Sequence, residues 1–401
     1  MRNRWLIALA AVGIHISIGS VYAFSVLVKP IMEALGASMA DVTWTFSLAI
    51  LFLGTSAGLL GRTVEKMGPR NSGTLAACLF GAGMIGTSYA VTVKSLPLLY
   101  LFYGVIGGMG LGTGYITPVS TLVKYFPKHR GFATGLAIMG FGFAALIAAP
   151  VMQYLYSRYG LAATFRDLGI VYFAVMLACS LYLKPPTVQT AEGTQAAPAV
   201  SGFTAAQAMR TWQFASLWWV FFINITCGIG LLAVLSPMAQ QVIGMSAVEA
   251  ASFVGIIGIM NGGGRILWST ISDRIGRPIT YVLFFALEIA AFALLAGTTA
   301  EGMFKFLVLL IISCYGGGFS CMPAYLSDLF GTKQLSAIHG RVLTAWGIAG
   351  VVGPTLVSWF YKSTGTYSSV LIFFAGCFIP NLLIALYLRK KGHQLPQIAA
   401  D

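Results

Sequence analysis

Arg265 lies inside the apolar run 247-270. At the centre of a bilayer a guanidinium costs at least about 2.5 to 3.5 kcal/mol, and lipid offers its donors no acceptor. A cation there calls for a wet cavity or an anion, and the planar donor fork of arginine matches a carboxylate through two parallel hydrogen bonds. Asn261 is four residues earlier, hence on the same helical face and placed to share that anion, while Gly262, Gly263 and Gly264 suit close helix packing. The competing reading is a guanidinium that snorkels to the membrane surface near Ser272 and Asp273; the two helical turns before Asp273 favour the anion clamp. Two further titratable side chains sit in apolar runs. His15 carries an imidazole that a membrane tolerates when neutral, with a reference pKa of about 6.5 that suits proton uptake; a hydrogen-bonded packing histidine is the alternative. Glu288, in the middle of 279-300, is expected to be paired or uncharged.

The elements that must position these residues are membrane spans. Of 401 residues, 58% are hydrophobic and 9% charged, against about 45 to 50% and about 25% in soluble domains. That excludes a water-soluble enzyme, a disordered chain and a secreted disulfide scaffold. The formal charge of +13 fits basic loops on one membrane face, and no nucleic-acid partner is expected. Arg2 and Arg4 before Trp5 look like the start of a signal peptide, but the run continues to about Val28 and eleven more follow. The spacing predicts an all-α membrane protein of twelve transmembrane helices near 5-28, 42-60, 72-93, 97-122, 131-155, 165-183, 213-240, 247-270, 279-300, 303-327, 340-361 and 367-388. The longest polar break, 184-212, with Pro185, Pro186 and Glu192, reads as a flexible cytoplasmic linker. It divides the chain into six-helix bundles at 1-183 and 213-390, followed by a cytoplasmic tail at 391-401. Cys78, Cys179, Cys227, Cys314, Cys321 and Cys377 all fall in apolar stretches and read as small buried hydrophobes.

With both termini cytoplasmic, seventeen lysines and arginines fall on that side and six on the other; the positive-inside bias selects this topology. The halves also repeat. Glu65-Lys66-Met-Gly68-Pro-Arg70 follows span two, Asp273-Arg274-Ile-Gly276-Arg277 follows span eight, and Tyr115 with Pro118 in span four lines up with Phe319 and Pro323 in span ten. The charged residues of the two turns, Glu65, Lys66, Arg70, Asp273, Arg274 and Arg277, read as a cytoplasmic latch that pairs across the halves in one state and parts in the other. Gly107-Gly-Met-Gly-Leu-Gly112 lies within a span and lacks the lysine and hydroxyl of a phosphate loop. No metal site, cofactor or nucleotide hydrolysis is expected, nor an enzyme, since no catalytic constellation is present.

The paired acid-base-x-Gly turns and the six-plus-six layout resemble the major facilitator superfamily over the whole chain. Within it, Gly19-Ser-Val-Tyr22-Ala-Phe24-Ser, Gly112-Thr-Gly-Tyr115, Tyr125-Phe-Pro127-Lys-His-Arg130-Gly131, Met209-Arg-Thr-Trp-Gln-Phe214, Asn261-Gly-Gly-Gly-Arg265 and Ser327-Asp328-Leu-Phe-Gly331 resemble the oxalate/formate antiporter family, relatives of bacterial and animal monocarboxylate transporters. The resemblance implies a multi-pass transporter of the cell (inner or plasma) membrane that works by alternating access, expected as a monomer in the lipid bilayer. It also implies that Tyr22, Tyr115 and Tyr315 line a central cavity in which Phe141, Phe319 and Trp346 form apolar walls. The oxalate-exchanging branch has a lysine in span eleven where this sequence has Trp346. With one intramembrane cation, a small monocarboxylate such as lactate, pyruvate or formate is favoured over a dianion. Animal monocarboxylate transporters have an aspartate where Asn261 stands, and Asn261 cannot titrate, so His15 is the leading proton-coupling candidate. Glu288, the second candidate, falls on a supporting helix of that fold. The expected function is proton symport of an organic anion, with anion antiport as the alternative and a carboxylate-sensing receptor as the rival of another class.

Overall fold

A computed structural model describes residues 3–186, 202–392 and 394–395, together with 188–189 and 195–196; Arg2, Glu192 and most of the expected tail at 391-401 lie outside the described residues. Among the described residues, ten helices are long and apolar enough to cross a membrane. One of them, Met39–Thr92, is two spans joined at Gly68, whose φ of 74° breaks the helix, and Pro69 opens the second part. Ala247–Ile275 is a further 29-residue helix, and it carries Asn261 and Arg265. The architecture is therefore the expected all-helical one with twelve spans. In chain order they are α1 (Arg4–Leu35), α2 (39–67), α3 (69–92), α4 (Leu96–Tyr125), α5 (Arg130–Tyr159), α6 (Leu161–Tyr182), α7 (Trp212–Ile243), α8 (Ala247–Ile275), α9 (Arg277–Leu295), α10 (Glu301–Phe330), α11 (Leu335–Thr364) and α12 (Ser368–Lys391).

Local sequence explains where several of these helices start and bend. Ser38 accepts from the Asp41 amide while the Asp41 carboxylate accepts from Ser38, and Ser246 and Glu249 repeat this capping box at the start of α8. Within α1, Ser20–Leu27 tighten into a 3₁₀ segment that carries Tyr22, and in α4 Tyr100–Gly107 widen into a π-helical one.

Three expectations need correction. The span expected at 340-361 starts at Leu335, because its first turn is covered by other helices and so need not be apolar; this brings His339 into the helix. The linker is not irregular throughout. Ala205–Met209 form a short helix capped by Thr204, Phe203 donates its N–H to Phe330 O at 2.8 Å, and Ala205 N–H donates to Gln334 Oε1 at 2.9 Å. Val188–Gln189 and Gln195–Ala196 pair as two antiparallel strands of two residues each. Of the six cysteines, all free, Cys78 is exposed and Cys179 and Cys377 are half-buried. Composition cannot separate a lipid-facing position from a protein core, since both are apolar.

The face that carries the helix ends near residues 65, 130, 275 and 335 is closed by contacts between the first six helices and the last six. α2 packs along α11 so closely that a Cβ on Gly340 would collide with the Ala57 carbonyl. The acids of the repeated turns do not pair with each other's bases. Asp273, ending α8, accepts from the Gly131 and Phe132 amides of α5 at 2.9 and 2.8 Å and pairs with Arg277. Glu65, ending α2, pairs with Lys124 at 2.5 Å and accepts from the Ser336 amide of α11 at 3.1 Å. Each acid thus satisfies the opening N–H groups of a helix from the other half, where the helix dipole also favours a negative charge. Asp328 adds a further bridge, accepting from Arg130 at 3.1 Å and from Arg277 at 3.2 Å. Lys66, Arg70 and Arg274 are exposed and make no ion pair among the described residues, so the structure does not bring them into the expected latch. Helix N-termini supply the partners across the two halves, beside the ion pairs with Lys124 and Arg277. Asp273→Asn should therefore weaken this closure by about 2 kcal/mol. Pulsed dipolar distances between spin labels at positions 128 and 333, in a variant lacking the native cysteines, should then show a larger open fraction; an unchanged distribution would refute the latch.

Candidate substrate-binding site

Arg265 has no exposed surface. Its Nε donates to Asn261 Oδ1 at 3.2 Å, one turn back on α8, and its Nη1 donates to the Ile138 carbonyl of α5 at 3.3 Å. The snorkelling alternative fails on this geometry, because the head is held inward by α5. Close approach of the two helices makes the second bond possible: a Cβ on Gly142 would come within 2.7 Å of the Gly262 Cα and 3.3 Å of Arg265 Nε. Gly264 faces the Ser313 backbone of α10 in the same way, whereas Gly263 faces open space and takes no part in packing, contrary to expectation. Ser269 and Ser320 both donate to the Arg265 carbonyl, at 2.6 and 2.7 Å, tying α10 to this turn of α8.

Around the guanidinium stands an aromatic cage drawn from five helices. Its Cζ lies 5.1 Å from the Phe319 ring and 5.9 Å from the Phe141 ring, distances at which a cation is attracted to a ring face. Trp346 of α11 closes the cage, 4.7 Å from Phe319, 5.5 Å from Phe141 and 5.4 Å from Tyr115. Tyr22 of α1 stands 5.0 Å from Phe141, and Tyr315 of α10 stands 5.2 Å from Phe319. All eight residues expected to bind substrate are therefore assembled in one place.

The polar atoms of the cage share a property. Arg265 Nη2, Trp346 Nε1 and the hydroxyls of Tyr22, Tyr115 and Tyr315 are buried and complete no hydrogen bond among the described residues. The Tyr22 and Tyr115 hydroxyls stand within interaction range of the guanidinium, and those of Tyr22 and Tyr315 within range of each other, without completing a bond of good geometry. A buried unpaired donor costs about 1 to 3 kcal/mol, and arginine and tryptophan can only donate. A small, acceptor-rich anion is the chemical complement of such a set, and the rings around it exclude water and bulky groups.

The proton-coupling candidates are placed differently. His15 is buried beside Tyr115, ring to ring 5.2 Å, with Nδ1 bonded to the Ala11 carbonyl at 3.0 Å and Nε2 unpartnered. Glu288 is not brought to the site: it accepts from Asn224 Nδ2 at 3.2 and 3.3 Å and fastens α9 to α7. Sequence reasoning missed His339. It is 1% exposed, its ring centroid lies 6.0 Å from that of Tyr115, and neither of its nitrogens has a partner. Its spacing of seven from Trp346 puts both on one helical face, a signal hidden by starting the span at 340.

The profile of the Major Facilitator Superfamily matches residues 10–333. The chain is 28% identical to an oxalate:formate antiporter of Oxalobacter formigenes, over 99% of this chain and 94% of that protein. It is also 28% identical to monocarboxylate transporter 2 of Meriones unguiculatus, over 89% and 78% of the two chains. Among solved structures, the E. coli fucose:proton symporter superposes with a TM-score of 0.75 at 14% identity, covering 96% of this chain and 99% of the other. With twelve long helices among the described residues, the chain belongs to the Major Facilitator Superfamily and is a multi-pass membrane transporter.

Proposed function

We propose that this transporter carries a small monocarboxylate of the lactate, pyruvate or formate class, together with a proton. The units 1–183 and 213–390, joined by the linker 184–212, rock about the caged arginine, and the basic face, with both termini, is cytoplasmic. The observation that carries the reading is Arg265 itself: a fully buried guanidinium with Nη2 unpartnered inside a ring of orphaned phenol and indole donors. One carboxylate neutralises one cation, and the cage presents no second positive charge to a dianion. A proton moving with the anion makes the transported pair neutral, which lowers the cost of crossing an apolar centre. Exchange of two anions is the second reading. It is favoured by Asn261, which cannot titrate at the place where it bonds the arginine, and by the similarity to a protein named an oxalate:formate antiporter.

The deciding experiment is uptake of labelled L-lactate into proteoliposomes under an inward proton gradient. Gradient-driven accumulation supports symport; uptake only into vesicles preloaded with formate or oxalate moves the protein to the exchangers. In the same assay Arg265→Ala should reduce uptake by about a hundredfold or more, and Arg265→Lys should recover little of it, because a point charge cannot reproduce the two-bond fork. Retention of transport in Arg265→Ala would refute the site. A second cation should redirect specificity. Trp346→Lys is expected to weaken lactate uptake and to make oxalate an effective competitor, about tenfold better than against the unaltered protein; competition that stays equally poor would show that charge count at the cage does not select the substrate.

A further inference from the structure

A small cavity of about 90 Å³ enters the basic face between α2, α4 and α11, beside the exposed Pro185. Its wall is hydroxyl-rich, with Thr117, Ser120, Thr121 and Ser336, and Glu65 and Lys124 stand in it as an ion pair. Ser336 donates its hydroxyl to Ser120 at 2.8 Å, joining the two halves of the chain at the cavity wall. His339 is three residues further along α11, one turn deeper on the same side. Beyond it lies Tyr115 and then the cage. A buried imidazole with neither nitrogen bonded is costly unless a partner arrives during the transport cycle, and this one sits between the Glu65–Lys124 ion pair of the cavity wall and the proposed anion site.

We propose that His339 is the proton-relay residue between the central site and the cavity at the basic face. This role rests on the symport reading above. A proton that entered with the carboxylate is accepted on one imidazole nitrogen as the other releases its own proton to solvent in the cavity; the ring ends in its other tautomer, restored by rotation, and one proton moves for each carboxylate. The groups that face the ring are consistent with that path. His15 from α1 is within electrostatic range, and the Tyr115 phenol from α4 is at the ring. Glu65 and Lys124 stand one turn away at Ser336. On α11 itself Arg341, two residues on, is half-buried and donates to the Ala337 carbonyl at 3.0 Å; the other contacts described for this part of the helix are uncharged, with Ala57 and Gly58 of α2 at Gly340, Trp218 of α7 at Thr344, and Phe319 of α10 at Trp346. Among the described residues no hydrogen bond joins His339 to Arg265, and anion binding is expected not to depend on it.

The test separates net proton-driven movement from exchange, which needs no net proton transfer. Proteoliposomes holding His339→Gln or His339→Asn are assayed for L-lactate accumulation under an inward proton gradient, and for lactate–lactate exchange at equal pH on both sides. The expected result is a loss of accumulation of about tenfold or more, with a flattened dependence on the pH at the basic face, and exchange within about twofold of the unaltered protein. Accumulation that survives in either variant overturns the relay, and so does a parallel loss of accumulation and exchange in both, which would make His339 a structural residue. If the unaltered protein exchanges lactate but never responds to the gradient, the symport reading fails and the relay falls with it; if it responds and the variants respond equally, only the relay fails.

Discussion

A guanidinium with no aqueous surface must find every compensation inside the protein, and much of the central architecture follows from that demand. Arg265 obtains one acceptor from its own helix, one from a backbone carbonyl of α5, and two ring faces from α5 and α10. The α5 carbonyl is within reach only because Gly142 and Gly262 let the helices touch backbone to backbone. The cation therefore dictates the small residues on the contact, the aromatic residues around it and the polarity left over at Nη2.

The same helix couples this site to the closure of the basic face. Arg265 and Asp273 lie two turns apart on α8, the first bonded to the middle of α5 and the second to its opening amides. A movement that parts α8 from α5 breaks both contacts. α2 and α11 repeat the device through Glu65 and Ser336. The repeated turns thus act as a carboxylate placed on a helix N-terminus, which is why the neighbouring bases Lys66, Arg70 and Arg274 can remain in solvent.

Not every buried polar group serves the proposed transport. Glu288 and Asn224 satisfy one another away from the cage and hold α9 against α7. In an apolar medium such a pair supplies helix association that the hydrophobic effect cannot, since lipid is as apolar as a leucine surface. His15 and His339 differ from it in keeping unpartnered nitrogens beside Tyr115.

Composition and periodicity alone made the twelve spans legible, because crossing a bilayer requires long apolar helices whatever their neighbours. They also exposed Arg265, since a lone cation in an apolar run is conspicuous before any contact is known. The aromatic residues were named one by one through family resemblance, but that six rings from five helices meet around one guanidinium was decided by packing between segments more than two hundred residues apart, as Tyr115 and Trp346 are. His339 stayed hidden because hydropathy places the start of a span where polarity falls, whereas the helix starts where its amides find acceptors, at the turn that Glu65 caps. The contacts that close the basic face were half legible. The acids could be read from the repeated turns, but their partners across the two halves are backbone N–H groups, which every residue other than proline carries and which no sequence pattern can mark.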